Sequence, residues 1–234
     1  RTVEEYRLDA HVPGLVYGIV ASGRLVHLHT LGVQDLETRR AVTSDTLFRI
    51  ASMTKAFTAL SILKLRDDGG LTLDAPAETW LPELRGWKYP TEDSPRIRVR
   101  DLLNHTAGFV TDDPWGDRQT PLPEADFTRM LQSGVPFTRP PGTAYEYSNL
   151  GYAMLGRIIT NVSQQPYQDY VDAQLLKPLG MTSSGFEVTL APTASLLYGE
   201  IIQPGRKHHH AEECFGATLL SLAAAAKRPG GRPL

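Results

Sequence analysis

Two short apolar runs near the N-terminus, followed by longer stretches with helical spacing, constrain the fold more than any other feature of this sequence. Leu15 to Ala21 and Leu25 to Leu31 are rich in residues that favour strands, and Ser22-Gly23 lies between them. Glycine tolerates the positive φ that a two-residue hairpin turn requires. The pattern therefore predicts an antiparallel hairpin at the start of the chain.

Beyond residue 50 the apolar residues recur with the spacing of an amphipathic helix. The first set is Met53, Ala56, Phe57, Leu60 and Leu63. The second set is Leu155, Ile158, Ile159 and Val162. Each pattern predicts a helix that buries the named face, and Gly69-Gly70 ends the first one. We therefore predict an α+β fold with a helical part at about residues 52–185 and a sheet that begins with the N-terminal hairpin.

Composition excludes several function classes. The chain has 234 residues, with 24 Lys and Arg against 26 Asp and Glu, so it lacks the basic balance of a nucleic-acid-binding protein. It contains no apolar run of about 18 residues, which argues against a membrane span. One cysteine, Cys214, rules out an intrachain disulfide, and the adjacent His208-His209-His210 lack the usual spacing of metal ligands. We predict no cofactor and no metal, and the sequence leaves the compartment open between cytoplasm and periplasm or exterior.

Ser52 and Lys55 form the first candidate site element. They stand three residues apart where a loop runs into the first helix, so their side chains share a face. A serine hydroxyl becomes a good nucleophile only when a neighbouring base takes its proton. The helix N-terminus adds backbone N–H groups where an oxyanion would develop. This spacing alone is common, so it indicates chemistry only together with other elements.

Tyr147-Ser148-Asn149 is the second candidate element. A phenol close to a cationic lysine has its ionised form favoured, so Tyr147 can act as a base near neutrality. The Asn149 amide can hold a substrate carbonyl or the lysine. The alternative interpretation is a turn that caps the following helix, since Ser and Asn are good N-cap residues.

Taken together with their flanks, these elements resemble the class C β-lactamase-like serine hydrolases, which include penicillin-binding DD-peptidases, D-aminopeptidases and family VIII carboxylesterases. The similarity covers roughly residues 10–190 and rests on four segments in family order. These are Thr46 to Lys55, Asp101 to Gly108, Pro141 to Asn149, and Pro178 to Thr182. Four ordered segments are far more specific than any one of them.

The resemblance implies the β-lactamase/DD-peptidase-like fold and a role for each candidate residue. Ser52 would be the acylated nucleophile, Lys55 and Tyr147 would move its proton, and Asn149 would bind substrate. The expected reaction is acyl transfer through an ester on Ser52, with small esters or β-lactams as substrates. Whether Lys55 or Tyr147 is the kinetic base stays open, because coupled groups titrate as a unit. We expect His105 to be structural, because the family gives the base role to Lys and Tyr.

The C-terminal part departs from the family pattern. The family's third motif, a Lys/His-Thr/Ser-Gly triad on a late strand, does not occur in this sequence. We interpret residues 1–205 as an incomplete hydrolase domain without its usual C-terminal strands, and residues 206–234 as an atypical tail without strand alternation. A frameshift or an internal truncation would produce such a tail, and the encoding DNA read in another frame past Gly205 would test the frameshift hypothesis. Loss of one oxyanion donor typically costs about a hundred- to a thousandfold in rate.

Two further expectations follow from the missing strands. Exposed sheet edges and apolar surface favour self-association, so we predict a homo-oligomer. The alternative function is a catalytically impaired, acyl-binding or self-assembling domain. An α/β-hydrolase esterase is disfavoured, because the sequence contains no Gly-x-Ser-x-Gly.

Overall fold

The predicted hairpin is present in the computed structural model, which describes residues 2–111, 122–186 and 219–220. Strand β1 (Gly14–Ala21) pairs antiparallel with β2 (Arg24–Gly32), and Leu15 lies opposite Leu31. Ser22 and Gly23 have φ values of 50° and 70°, as a two-residue turn with two left-handed positions requires. The hairpin prediction is confirmed.

Helix α1 (Val3–Asp9) precedes the hairpin and begins with a capping box. The Glu5 N–H donates to Thr2 Oγ1 at 3.3 Å, and the Thr2 N–H donates to the Glu5 carboxylate at 2.9 Å. These two bonds satisfy backbone donors that the first helical turn leaves without partners. The capping box therefore gives this short helix a local reason to begin at Val3.

A second small antiparallel sheet joins β3 (Phe48–Arg49) to β4 (Leu219–Leu220). β4 lies in the segment for which the sequence predicted no strand pattern. A strand of two residues is too short to show alternation, which explains the difference. The remainder of residues 206–234 lies outside the described residues, so the boundary at 205 stays a prediction.

The described residues form two compact units: residues 52–175 in one, and residues 2–51, 176–186 and 219–220 in the other. The α-helices of the first unit are α2 (Thr54–Asp67), α3 (Val99–Leu103), α4 (Glu124–Ser133), α5 (Asn149–Ser163) and α6 (Tyr167–Val171). Short 3₁₀ turns cover Ala51–Met53, Ala77–Thr79 and Pro82–Gly86, and a π-helical turn covers Asp172–Leu176. The predicted mixture of helices with a small antiparallel sheet is what the structure contains.

Helix α5 forms the centre of the helical unit's core. Leu155, Ile158 and Ile159 are completely buried, at 0% exposure. These residues belong to the face that the sequence pattern selected. The prediction of a buried face on this helix is confirmed.

For helix α2 the predicted buried face is wrong. Met53 and Leu60 are 65% and 44% exposed. The buried residues of this helix are Thr54, Thr58, Ser61, Ile62 and Leu65.

Hydroxyl side chains explain why the pattern of apolar residues does not mark the buried face of α2. Thr58 Oγ1 lies 2.8 Å from the Tyr167 hydroxyl, and Ser61 Oγ donates to the Phe57 carbonyl at 2.9 Å. A buried hydroxyl costs little when it is hydrogen-bonded, so these small polar residues can replace apolar ones in the interface. A spacing rule that counts only apolar residues cannot find such a face.

A loop after α3 braces the chain that leads to α5. The Thr138 N–H donates to the Gly108 carbonyl at 2.8 Å, the Gly142 N–H to Thr106 at 2.7 Å, and the Glu146 N–H to His105 at 2.7 Å. Gly108 has φ 82°, and a Cβ there would collide with the Arg139 carbonyl. The glycine thus permits the close approach that carries the chain to residue 147.

Candidate active site

Ser52 lies in the 3₁₀ turn that connects β3 to α2. The preceding residue, Ala51, has φ 43°, in the left-handed region that non-glycine residues rarely adopt. Lys55 follows in the first turn of α2, and its Nζ donates to Ser52 Oγ at 3.0 Å. The side chains of Ser52 and Lys55 therefore contact each other, as predicted, where the turn meets the helix.

Tyr147 and Asn149 flank the N-cap of α5. Ser148 between them is 2% exposed, and its Oγ accepts a hydrogen bond from the Gly151 N–H at 3.0 Å. This bond caps the helix, so the capping interpretation holds for Ser148. Because successive residues of an extended segment point in different directions, the cap leaves the side chains on either side available for other contacts.

The structure brings the four predicted site residues into one hydrogen-bonded group. Ser52 Oγ lies 2.6 Å from the Tyr147 hydroxyl oxygen. Lys55 Nζ donates to Asn149 Oδ1 at 2.6 Å, and the Tyr147 hydroxyl donates to the same oxygen at 3.2 Å. Residues about a hundred positions apart in the chain thus meet at the Ser52 hydroxyl.

Counting protons limits the hydrogen bonds that Tyr147 can donate at one time. A phenol carries one proton, and an amide oxygen only accepts. Tyr147 therefore donates either to Asn149 Oδ1 at 3.2 Å, and then accepts from Ser52 Oγ, or to Ser52 Oγ itself at 2.6 Å. In the first arrangement the Ser52 hydroxyl proton points at Tyr147, and in both arrangements Lys55 Nζ donates to Ser52 Oγ.

His105 lies behind Tyr147, outside the group that contacts Ser52. Its ring stacks on the Tyr147 ring with centroids 4.7 Å apart, and its Nδ1 accepts the Ser148 N–H at 3.1 Å. These contacts hold the Tyr147-Ser148 segment in place. They agree with the structural role that the sequence analysis gave to His105.

Tyr152 contacts the site, although the sequence analysis did not select it. Lys55 Nζ lies 5.6 Å from the centroid of its ring, and its hydroxyl donates to the Leu103 carbonyl at 3.1 Å. Burial, with the nearby Tyr147 and Tyr145 phenols, raises the pKa of Tyr152, so it stays protonated at neutral pH. Helical spacing carried the missed signal, because Tyr152 stands three residues after Asn149 on α5.

The described ranges contain neither a metal-binding cluster nor a membrane-spanning helix. Residues 2–111, 122–186 and 219–220 contain no cluster of three or more His, Cys, Asp or Glu side chains that could hold a metal ion. His208-His209-His210 and Cys214, which the sequence predicted not to bind a metal, lie outside those ranges. Within the same ranges, no helix has the length and apolar character needed to span a membrane.

The family model named Beta-lactamase matches residues 1–208. The chain belongs to the beta-lactamase family. Among curated relatives of the family, it is 35% identical over 191 residues to Protein flp of Staphylococcus aureus (strain COL), a match that covers 80% of this chain and 38% of that protein. It is 34% identical over 190 residues to Esterase EstB of Burkholderia gladioli, covering 76% of this chain and 48% of the esterase.

Solved structures give the same assignment for the fold. An octameric penicillin-binding protein homologue from Pyrococcus abyssi superposes with a TM-score of 0.78 at 29% identity, over 96% of this chain and 53% of that one. A class C beta-lactamase superposes with a TM-score of 0.76 over 95% of this chain and 60% of its own length. At 21% identity the latter supports the fold alone. The predicted β-lactamase/DD-peptidase-like fold is confirmed, and the chain covers between 38% and 60% of the length of these proteins.

Proposed function

We propose that this chain is a serine hydrolase that forms an acyl-enzyme on Ser52, with carboxylesterase or β-lactamase-type activity on small esters or β-lactams. One observation carries the proposal. The Ser52 Oγ contacts both a phenol oxygen at 2.6 Å and a lysine Nζ at 3.0 Å. A nucleophile within hydrogen-bond reach of a base that another group orients is the signature of an activated serine.

The geometry supports a specific first step. Ser52 Oγ attacks the substrate carbonyl carbon while its proton moves to whichever of Tyr147 and Lys55 is deprotonated at that moment, and the carbonyl π electrons become a negative oxygen. The other member of the pair keeps its hydrogen bond to Ser52 Oγ and orients the attacking oxygen. When the tetrahedral intermediate collapses, the leaving group departs with a proton returned through Tyr147 and Lys55. Which of the two is the kinetic base stays a question for experiment.

Deacylation repeats the step with water as the nucleophile. Water attacks the Ser52 ester carbonyl, gives a proton to the same relay, and releases the acid with Ser52 Oγ reprotonated. Asn149 supports both steps by holding Lys55 and Tyr147 through Oδ1. Substrate binding by the Asn149 amide is part of the proposal.

The substrate class rests on similarity. The relative EstB bears the name esterase, which favours an ester substrate. The family name favours a β-lactam, in which ring opening by the same attack gives the same serine ester. Both substrates present a carbonyl carbon to Ser52, so one active-site geometry serves either.

Intact-mass measurement tests the proposal directly. The wild-type chain, incubated separately with penicillin G and p-nitrophenyl butyrate, should gain the mass of the acyl group, while Ser52→Ala should gain none. Ser133→Ala is the matched control, since Ser133 is exposed on α4 and should label like wild type. Turnover of p-nitrophenyl butyrate then separates hydrolysis from acylation alone. Equal labelling of wild type and Ser52→Ala would refute the proposal.

A second candidate function is an acyl-binding domain whose role is self-assembly. The observation that favours it is apolar exposure on the hairpin, where Ile19, Val20 and Val26 are 54%, 68% and 61% exposed. Exposed apolar side chains of this kind promote association of sheets. Light scattering should find an oligomer, and Val20→Lys with Val26→Lys should reduce its mass. A monomer at tens of micromolar protein would refute this candidate.

A further inference from the structure

The Lys55 ammonium is held by oxygen atoms and by aromatic rings. Its oxygen contacts are Ser52 Oγ at 3.0 Å and Asn149 Oδ1 at 2.6 Å. Its ring contacts are the Tyr147 face at 4.8 Å and the Tyr152 face at 5.6 Å, measured to the ring centroids. Both distances lie within the range of cation–π attraction.

Tyr152 is itself held firmly. Its hydroxyl donates to the Leu103 carbonyl at 3.1 Å, which ties the ring to the end of α3. Its other neighbour is the His105 ring, with centroids 5.0 Å apart. Because a helix and a loop both fix this ring, its face is a preformed surface for a cation.

The two tyrosines differ in what they can do for Lys55. Tyr147 contacts Ser52 and belongs to the proposed pair that moves its proton, so its hydrogen bonding changes during each turnover. Tyr152 bonds a backbone carbonyl and keeps its proton, so its ring presents the same electrostatic face throughout. A lysine on a flexible four-carbon stem needs such a constant partner to keep one position.

We propose that Tyr152 is a positioning residue for Lys55: its ring face holds the ammonium between Ser52 Oγ and Asn149 Oδ1. This inference rests on the proposed role of Lys55 in acylation of Ser52. The ring face attracts the cation without accepting a directed hydrogen bond, so the N–H groups remain aimed at the two oxygens. Asn149 and Tyr152, three residues apart on α5, therefore approach Lys55 as one surface.

Substitutions separate the ring from the hydroxyl. Tyr152→Leu removes the ring and should lower the second-order rate constant for acylation by p-nitrophenyl butyrate about 3- to 30-fold. Tyr152→Phe keeps the ring and loses only the bond to Leu103, so its rate should stay within about twofold of wild type. Tyr145→Leu is the matched control, because Tyr145 also contacts the His105 ring, at 5.6 Å, and is 65% exposed. If the Leu variant does not fold, Tyr152→Met replaces it.

Crystal structures of the same variants give a readout that does not depend on activity. Lys55 Nζ should remain within hydrogen-bond distance of Ser52 and Asn149 in Tyr152→Phe and should leave that position in Tyr152→Leu. A Lys55 that stays in place in Tyr152→Leu would overturn the inference, and so would a Phe variant as slow as the Leu variant. A wild-type chain that forms no acyl adduct would refute the proposed function instead, and the crystal comparison would still decide the role of Tyr152.

Discussion

Helices α2 and α5 each carry half of the candidate site, and they are built in different ways. Helix α5 has a side-chain cap, Ser148, and a continuous apolar face in the core. Helix α2 has no side-chain hydrogen bond at its N-cap, Met53, and its buried face is half polar. The Tyr147-Ser148-Asn149 element therefore sits on a rigid support, whereas Ser52 and Lys55 depend on contacts that reach them from the other helix.

This difference indicates which residues fix the positions of Ser52 and Lys55. The oxygen of Asn149 fixes Lys55, and the hydroxyl of Tyr147 fixes Ser52. Ser52 and Lys55 thus each have their position defined by a residue at, or just before, the start of α5. Damage to the start of α5 should therefore affect the nucleophile more than its distance in sequence suggests.

The largest expected effect concerns the oxygen that receives the Ser52 proton. Tyr147→Phe keeps the ring over Lys55 and removes that oxygen, so acylation should slow about a hundred- to ten-thousandfold. Stopped-flow measurement with p-nitrophenyl butyrate gives the rate. Tyr145→Phe, two residues earlier, is the control. A Tyr147→Phe variant with the wild-type rate would show that Lys55 alone takes the proton.

The unequal burial of the two helices predicts unequal losses of stability. Ile158→Ala on α5 deletes a completely buried side chain and should lower the free energy of unfolding by about 2 to 5 kcal/mol. Leu60→Ala on α2, at a position 44% exposed, should cost about 0.5 kcal/mol or less. Urea unfolding measures both. Equal losses would mean that the sequence-predicted face of α2 is buried after all.

Alkaline pH tests the polar interface of α2. Burial raises the pKa of Tyr167 to about 12, with the Thr58 bond opposing that shift. An unfolded tyrosine ionises from about pH 10, so the stability due to this burial is complete below pH 10 and is lost as pH rises toward 12. The loss should be on the order of 2 to 3 kcal/mol.

Urea unfolding at pH 9 and near pH 12 measures that loss. Tyr167→Phe is the control, because it cannot ionise and should lose less stability over the same pH interval. Identical pH dependence in the two proteins would show that Tyr167 does not keep its proton in the folded state.

The smallest expected loss of stability concerns Ser148, the N-cap residue of α5. Ser148→Ala removes the acceptor for the Gly151 N–H and should destabilise the chain by about 1 kcal/mol. Ser133→Ala, at the exposed end of α4, should change stability by less than about 0.5 kcal/mol. Urea unfolding of each variant beside wild type measures both losses of stability. A Ser148→Ala loss no larger than that of the control would argue against a firm support under Tyr147 and Asn149.

The sequence alone predicted those features that depend on short-range patterns of residues. Ser22-Gly23 marks the hairpin because only a few residues tolerate its turn, and Leu155 to Val162 mark α5 because that face is uniformly apolar. The selection of Ser52, Lys55, Tyr147 and Asn149 came from ordered motifs, and their convergence depends on folding that no local pattern describes. The buried face of α2 was missed because Thr58 and Ser61 are polar residues whose hydroxyls are satisfied only in the folded chain.

Identification of the nucleophilic residue tests the central claim most directly. After one incubation with a fluorophosphonate, proteolysis and tandem mass spectrometry locate the modified side chain. The relay predicts a single label on Ser52, which Tyr147→Phe slows and Ser52→Ala abolishes. A label on Ser148 or on any other serine, or no label on the folded wild-type chain, would contradict it.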